Sequence, residues 1–278
     1  MSDMFGSDAY SPKEIAARVE NVGVAKARLP LLSTVMLGLL AGAFIGLGAL
    51  YFNIVASDAS LGFAAKRVAG GVCFSLGLLL VVVAGAELFT GNNLLAMAWA
   101  EGKISTAEVL RNWVVVCAAN FAGAAGLALL VWLSGHLSMN DYALGRSLVA
   151  TAAAKAGLSP VEAFFRGILC NMLVCMAVWM SFAGRSVIDK FIAIVLPISA
   201  FVAAGFEHSI ANMYIFPLAM LQQASHPLAV PGAALIDIPH MLANLGAVIA
   251  GNIIGGSVLV ALVYHFVYRR GATDAEKS

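Results

Sequence analysis

The chain has 278 residues, of which 61% are hydrophobic and only 11% charged, and its formal net charge is +1 at pH 7. A soluble domain carries about a quarter charged residues, so this composition excludes a water-soluble globular fold and places the chain in a bilayer. There is no basic run to hold nucleic acid. The cysteines Cys73, Cys117, Cys170 and Cys175 all lie in apolar segments and form no C-x-x-C pair, so neither a disulfide framework nor a zinc site is indicated. They read as packing residues, and neither a metal nor a cofactor is expected.

Residues 1–28 form a mixed polar leader. Within it Ser11-Pro12-Lys13-Glu14 has the form of a capping box with proline at the first helical position. Ile15, Val19 and Val22 or Val24 then share one side, with Lys13, Glu14, Arg18 and Glu20 elsewhere, which predicts a short amphipathic helix packed on the membrane face. The first apolar run starts only near Pro30, too late and without the basic start of a cleavable signal, so no signal peptide is expected.

Spanning regions are predicted at about 30–53, 67–100, 107–134, 161–183, 190–222 and 240–268. The second and fifth are too long. At about 1.5 Å rise per residue each is a rod of roughly 50 Å, against a hydrocarbon core of about 30 Å. Both contain the pattern G-x-E-x4-N: Gly85-Ala86-Glu87-Leu88-Phe89-Thr90-Gly91-Asn92, and Gly205-Phe206-Glu207-His208-Ser209-Ile210-Ala211-Asn212. The expectation is that each region breaks there into two half-helices joined by extended backbone, which a membrane tolerates only around a cavity or inside protein. Pro197 and Pro217 flank the second break and ease local distortion. Between the third and fourth regions lies an alanine-rich external connection in which short helical structure is plausible.

Internal duplication is legible. Asn112, Asn120 and Gly123 in the third region recur at the same spacing as Asn244, Asn252 and Gly255 in the sixth. Gly38 and Gly42 correspond loosely to Gly167 and Asn171. Three regions per half is an odd number, so the second half must insert upside down, as an inverted 3+3 repeat. The halves cover 29–134 and 161–268, with a connection at 135–160 and a tail at 269–278. Eleven of the lysines and arginines fall beside the leader, the even connections and the tail, and five (Lys66, Arg67, Arg146, Lys155, Arg166) on the other side. Both termini are therefore expected in the cytoplasm.

His208 is the one histidine expected near mid-depth. A lone buried histidine is ordinarily a hydrogen-bonded core residue, but beside Glu207 in a predicted break it reads as functional. Glu87 and Glu207 read better as braces for broken backbone than as binding groups, because an anion path would not welcome exposed carboxylates; Asn92 and Asn212 share that role. Thr90 can both donate and accept, and so can bridge an anion and the imidazole, or else bond local backbone. Asn171 is a second polar partner. Ionisable residues in paired interruptions mark a transport path, here for a small anion.

These segments, Glu-Leu-Phe-Thr-Gly and Gly-Phe-Glu-His-Ser-Ile-Ala-Asn, resemble those of the formate/nitrite transporter family, and the likeness runs over essentially the whole chain. The resemblance implies an aquaporin-like, all-α fold and a homopentamer with one pore per protomer. It also implies residence in the bacterial inner membrane, and a channel for formate and related small anions rather than an enzyme. It pairs His208 and Thr90 at the pore centre with Asn171 as polar partner. It assigns Leu78 and Phe201 to a cytoplasmic constriction, Phe74, Phe89 and Val174 to a periplasmic one, and Lys155 to the external vestibule. It associates the leader helix with pH-dependent gating. The alternatives are a nitrite or hydrosulfide channel of the same family, an aquaporin-like channel for neutral solutes, and a haem-binding subunit. The last lacks a second mid-depth histidine to face the first.

Overall fold

The computed structural model describes residues 9–231 and 234–269. Helix α1 (Pro12–Ala27) opens on the Ser11/Glu14 capping box, with the Glu14 amide donating to Ser11 Oγ at 3.4 Å and the Ser11 amide to Glu14 Oε2 at 2.8 Å. Its buried face includes Ile15, Val19 and Gly23. The sequence put Glu20 among the leader's outward polar residues, and the structure corrects this. Glu20 is fully buried because two cations meet it there, Lys103 at one oxygen and Arg269 Nε at the other, the latter at 2.7 Å.

Then come α2 (Leu31–Ala56), α3 (Phe63–Leu79), the short α4 (Ala96–Ala100), α5 (Thr106–Leu133) and α6 (Met139–Ala156). The second half supplies α7 (Pro160–Ser181), α8 (Val187–Ala204), α9 (Ser209–Ser225), α10 (Ile238–Ile253) and α11 (Val263–Tyr268). Six helical stretches among the described residues are long and apolar enough to cross a membrane. The 135–160 connection carries the 18-residue α6, whose first turn is interrupted by left-handed Asn140, Asp141 and Tyr142. The tail cations Arg270 and Lys277, which entered the charge comparison, lie outside the described residues.

Two interruptions decide where the site forms. Helix α3 runs on as a π turn to Gly85, whose φ of 86° is left-handed; Ala86 is extended, and helical structure resumes only at Gly91. Helix α8 ends on Gly205 at φ 76°, and α9 begins after an extended His208. Glycine is the residue that takes such angles without steric cost, so each break begins where the sequence has one.

Helix α2 packs on α3 and α5, α7 on α8 and α10 in the same pattern, and α3 on α8. The α2–α5 seam rests on bare glycine, and so does the seam between α7 and the π-helical stretch Ile254–Leu262 that continues α10. A Cβ at Gly123 would stand 2.0 Å from the Leu39 carbonyl oxygen, and one at Gly255 2.2 Å from that of Ile168, whereas Gly126 meets nothing within 4 Å. Backbone cannot yield as a side-chain tip can. Gly123→Ala and Gly255→Ala should therefore each cost about 1–3 kcal/mol or more, and Gly126→Ala nothing measurable. Thermal unfolding of the three purified variants checks this, and equal midpoints would refute it.

Candidate functional site: a histidine–threonine couple between two cavities

Each break is held by a matching set of polar side chains. In the first, Asn120 Nδ2 donates to the Gly38 carbonyl at 2.7 Å and the Glu87 carbonyl at 2.9 Å, while its oxygen accepts the Phe89 amide at 2.9 Å. In the second, Asn252 Nδ2 donates to the Gly167 carbonyl at 2.8 Å and the Glu207 carbonyl at 3.1 Å, and its oxygen accepts the Ser209 amide at 3.1 Å. Extended backbone leaves donors and acceptors that no helix satisfies, and these asparagines satisfy them.

The carboxylates sit in equivalent networks. Glu87 accepts from Asn92 Nδ2 at 2.7 Å and pairs with Lys26 Nζ at 2.6 Å; Glu207 accepts from Asn212 Nδ2 at 2.7 Å and pairs with Lys155 Nζ at 2.8 Å. Asn112 and Asn244 complete the sets, each accepting from the motif asparagine and donating to the carbonyl of the lysine. Every charge here has an opposite partner, which makes burial of the carboxylates tolerable.

At the centre His208 Nε2 lies 2.9 Å from Thr90 Oγ1, both residues being buried. The Ala211 amide donates to His208 Nδ1 at 3.1 Å, capping α9. That bond occupies Nδ1, so the neutral ring carries its proton on Nε2 and donates to Thr90, whose hydroxyl proton is left to point elsewhere. Phe201 stacks beside the imidazole at 5.8 Å between ring centroids, and Phe74 meets Phe201 edge-on at 5.6 Å.

Two cavities approach this couple. One, of about 930 Å³, is lined by Lys155, Glu207, His208, Phe74 and Phe201. The other, of about 510 Å³, is lined by Lys26, Glu87, Asn92, Leu78 and Leu88. The stretch Leu88–Gly91 runs between them, with Leu88 and Gly91 facing the second cavity and Thr90 bonded to a residue that faces the first.

Residues 13–266 match the profile of the family described as Formate/nitrite transporter. The chain belongs to the formate/nitrite transporter family. It is 39% identical over 273 residues to "Formate channel FocA" of Escherichia coli K12, covering 95% of this chain and 96% of the relative. It is 37% identical over 264 residues to "Formate channel FocB" of the same strain, covering 92% and 94%. A solved "Pentameric formate channel with formate bound" superposes with a TM-score of 0.78 at 35% identity, over 86% of this chain and 97% of that one. An "FNT family ion channel" gives 0.81 at 30% identity, over 91% and 98%. The chain is thus an all-helical, multi-pass membrane protein of a channel and transporter family.

Phe201 lies at the end of α8 just before the second break, and lines the Lys155-side cavity with Phe74. Leu78 lies one helical turn beyond Phe74 and lines the Lys26-side cavity. Phe89 and Val174 are buried and belong to the same apolar cluster, lining neither cavity. Asn171 does not reach the imidazole. Helix α7 stands behind the first break, so its Nδ2 bonds the Thr90 carbonyl at 3.2 Å, Asn93 Oδ1 at 2.7 Å and the Asn252 carbonyl at 2.7 Å. Cys175 Sγ also meets the Thr90 carbonyl, at 3.3 Å. The sequence reading assigned no site role to Lys26. A signal existed: Lys26 precedes Gly38 by the same twelve residues that separate Lys155 from Gly167.

Proposed function

We propose that this chain is a bidirectional, pH-dependent channel for formate and similar small monovalent anions. In this reading it works as a homopentamer with one pore per protomer, in the bacterial inner membrane with both termini in the cytoplasm. Its two halves, related as an inverted repeat, present one lysine to each end of the path. The observation that carries this is the His208–Thr90 bond set between two cavities, each with a lysine–glutamate pair at its wall. The relatives named as formate channels, and the related structure described as having formate bound, supply the substrate.

The physical problem is the cost of an ion in a dry constriction, of order 20 kcal/mol in the idealised Born limit and still several kcal/mol after relaxation. The Thr90 hydroxyl and the His208 N–H replace the anion's lost water. Transfer of a proton from imidazolium to formate removes the charge altogether. In water that transfer is uphill by about 2.5 pK units, or roughly 3.4 kcal/mol, and a low dielectric favours the neutral pair. Charging the ring at Nδ1 also breaks the Ala211 bond, which costs about 1 kcal/mol. Thr90 orients the partners, and the protonated passenger crosses past Phe74 and Leu78 as the neutral acid.

The test is flux into proteoliposomes of formate, nitrite, hydrosulfide and a neutral solute across a pH series. Formate flux should rise as pH falls. A flux indifferent to both pH and charge would favour the neutral-solute channel.

A further inference from the structure

The five lysines and arginines that the sequence leaves on the external side (Lys66, Arg67, Arg146, Lys155 and Arg166) come from three different helices, and all five line the Lys155-side cavity. Their charges are not equally committed. Lys155 is paired with Glu207, the one carboxylate among the described residues lining this cavity. Arg67 donates from Nε to the Ala203 carbonyl at 2.9 Å and from Nη2 to the Val202 carbonyl at 2.6 Å, so it caps the end of α8. Lys66, Arg146 and Arg166 have no hydrogen-bond acceptor and no ion-pair partner among the described residues. The nearby acids make their hydrogen bonds elsewhere, Asp58 to Ser60 at 2.7 Å and Glu162 to the Ser159 amide at 3.0 Å and its hydroxyl at 2.8 Å, and reach Lys66 and Arg166 only through space.

The cavity is therefore a concave surface with a positive excess and two guanidinium groups, Arg146 and Arg166, whose N–H groups have no acceptor among the described residues. A guanidinium fork matches carboxylate or phosphate oxygens two at a time. A cavity of about 930 Å³ is far too roomy to select a one-carbon anion by shape. It selects by charge, and low-dielectric walls focus that charge on whatever enters. We propose that this vestibule is a second anion site, separate from the His208–Thr90 couple, which takes polyvalent oxyanions through Arg146 and Arg166. Such an anion is held where a monoanion is passed on. It is too large and too highly charged to follow between Phe74 and Phe201, and while it sits there it competes with formate for entry.

The competition rests on the channel reading above, but the binding does not, so the two are measured separately. Calorimetry on the purified protein at low ionic strength uses citrate and pyrophosphate as probes and acetate as the monoanion control. Both polyvalent probes should bind at least about tenfold more tightly than acetate. Arg146→Gln/Arg166→Gln should weaken them about tenfold or more, and Arg146→Lys/Arg166→Lys much less. In proteoliposomes, citrate should slow formate uptake more than a monovalent salt of matched ionic strength, and this excess should vanish in the Gln pair relative to its own uninhibited rate. Binding that persists unchanged in the Gln pair, or equal binding of acetate, overturns the site. Citrate that binds without slowing formate overturns the competition, and citrate that binds to a chain conducting no formate leaves the site standing while the channel reading fails.

Discussion

A His208→Asn channel is expected to lose the acid-driven component of formate flux by about 100-fold or more. The estimate follows from the charge that would otherwise have to cross bare: a residual cost of even about 3 kcal/mol is more than a hundredfold in rate. Asparagine is a suitable replacement because it isolates the proton. Its side-chain oxygen can accept the Ala211 amide and keep α9 capped, and asparagine is among the best capping residues. It is too short to keep the contact that Nε2 makes with Thr90 Oγ1 at 2.9 Å. What it cannot do is release a proton near neutral pH. Uptake of labelled formate, together with the accompanying pH change inside proteoliposomes, reads out both quantities. Anion conductance that survives while proton-coupled uptake disappears is the expected result. Undiminished formic acid flux through the variant would remove His208 as the donor.

The second large effect concerns stability. Lys155→Met should destabilise the protein by about 3–5 kcal/mol, the cost of leaving a buried carboxylate without its cation. Glu207 has 4% of its side-chain surface exposed and Lys155 15%, so water cannot take the place of the ammonium. The Asn212 amide at 2.7 Å remains, but it carries no charge. Lys26→Met removes the equivalent partner of Glu87, yet Lys26 is 28% exposed, so solvent screens the orphaned charge better and the loss should be smaller. Adding Glu207→Gln to Lys155→Met should restore most of the stability, because the glutamine oxygen still accepts from Asn212 and no charge is left behind. Unfolding midpoints of the three variants in one detergent decide this. Equal losses for the two lysines would show that exposure does not govern these pairs.

A good part of the architecture was legible along the chain. The capping box at Ser11–Glu14 needs only residues three apart, and the structure has both of its bonds. The over-long second and fifth apolar regions are a matter of length against bilayer thickness. The motif glycines at which helix stops, Gly85 and Gly205, announce themselves by residue type. Glu20 was misread because helical periodicity describes one helix alone, and the cations that bury it come from a connection and from the far end of the last helix. That Phe201 lines the Lys155-side cavity lay outside the sequence for a similar reason. Its place along α8 is known from sequence, but the cavity it lines depends on how α8 lies against α3.

By itself, then, the sequence determined that the chain lives in a bilayer, where it crosses, where two crossings fail, and that a histidine stands at one of the failures. Those follow from local facts: the cost of charge in hydrocarbon, the rise of a helix and the dihedral freedom of glycine. Only the tertiary structure decided that His208 meets Thr90, that Lys26 is the counterpart of Lys155, that Asn171 serves the Thr90 carbonyl, and that five scattered cations share one cavity. Each of these joins side chains from different elements, most of them far apart in sequence. Their meeting is set by backbone approach at the glycine seams and by buried groups seeking partners, and neither is written into the spacing of any one segment.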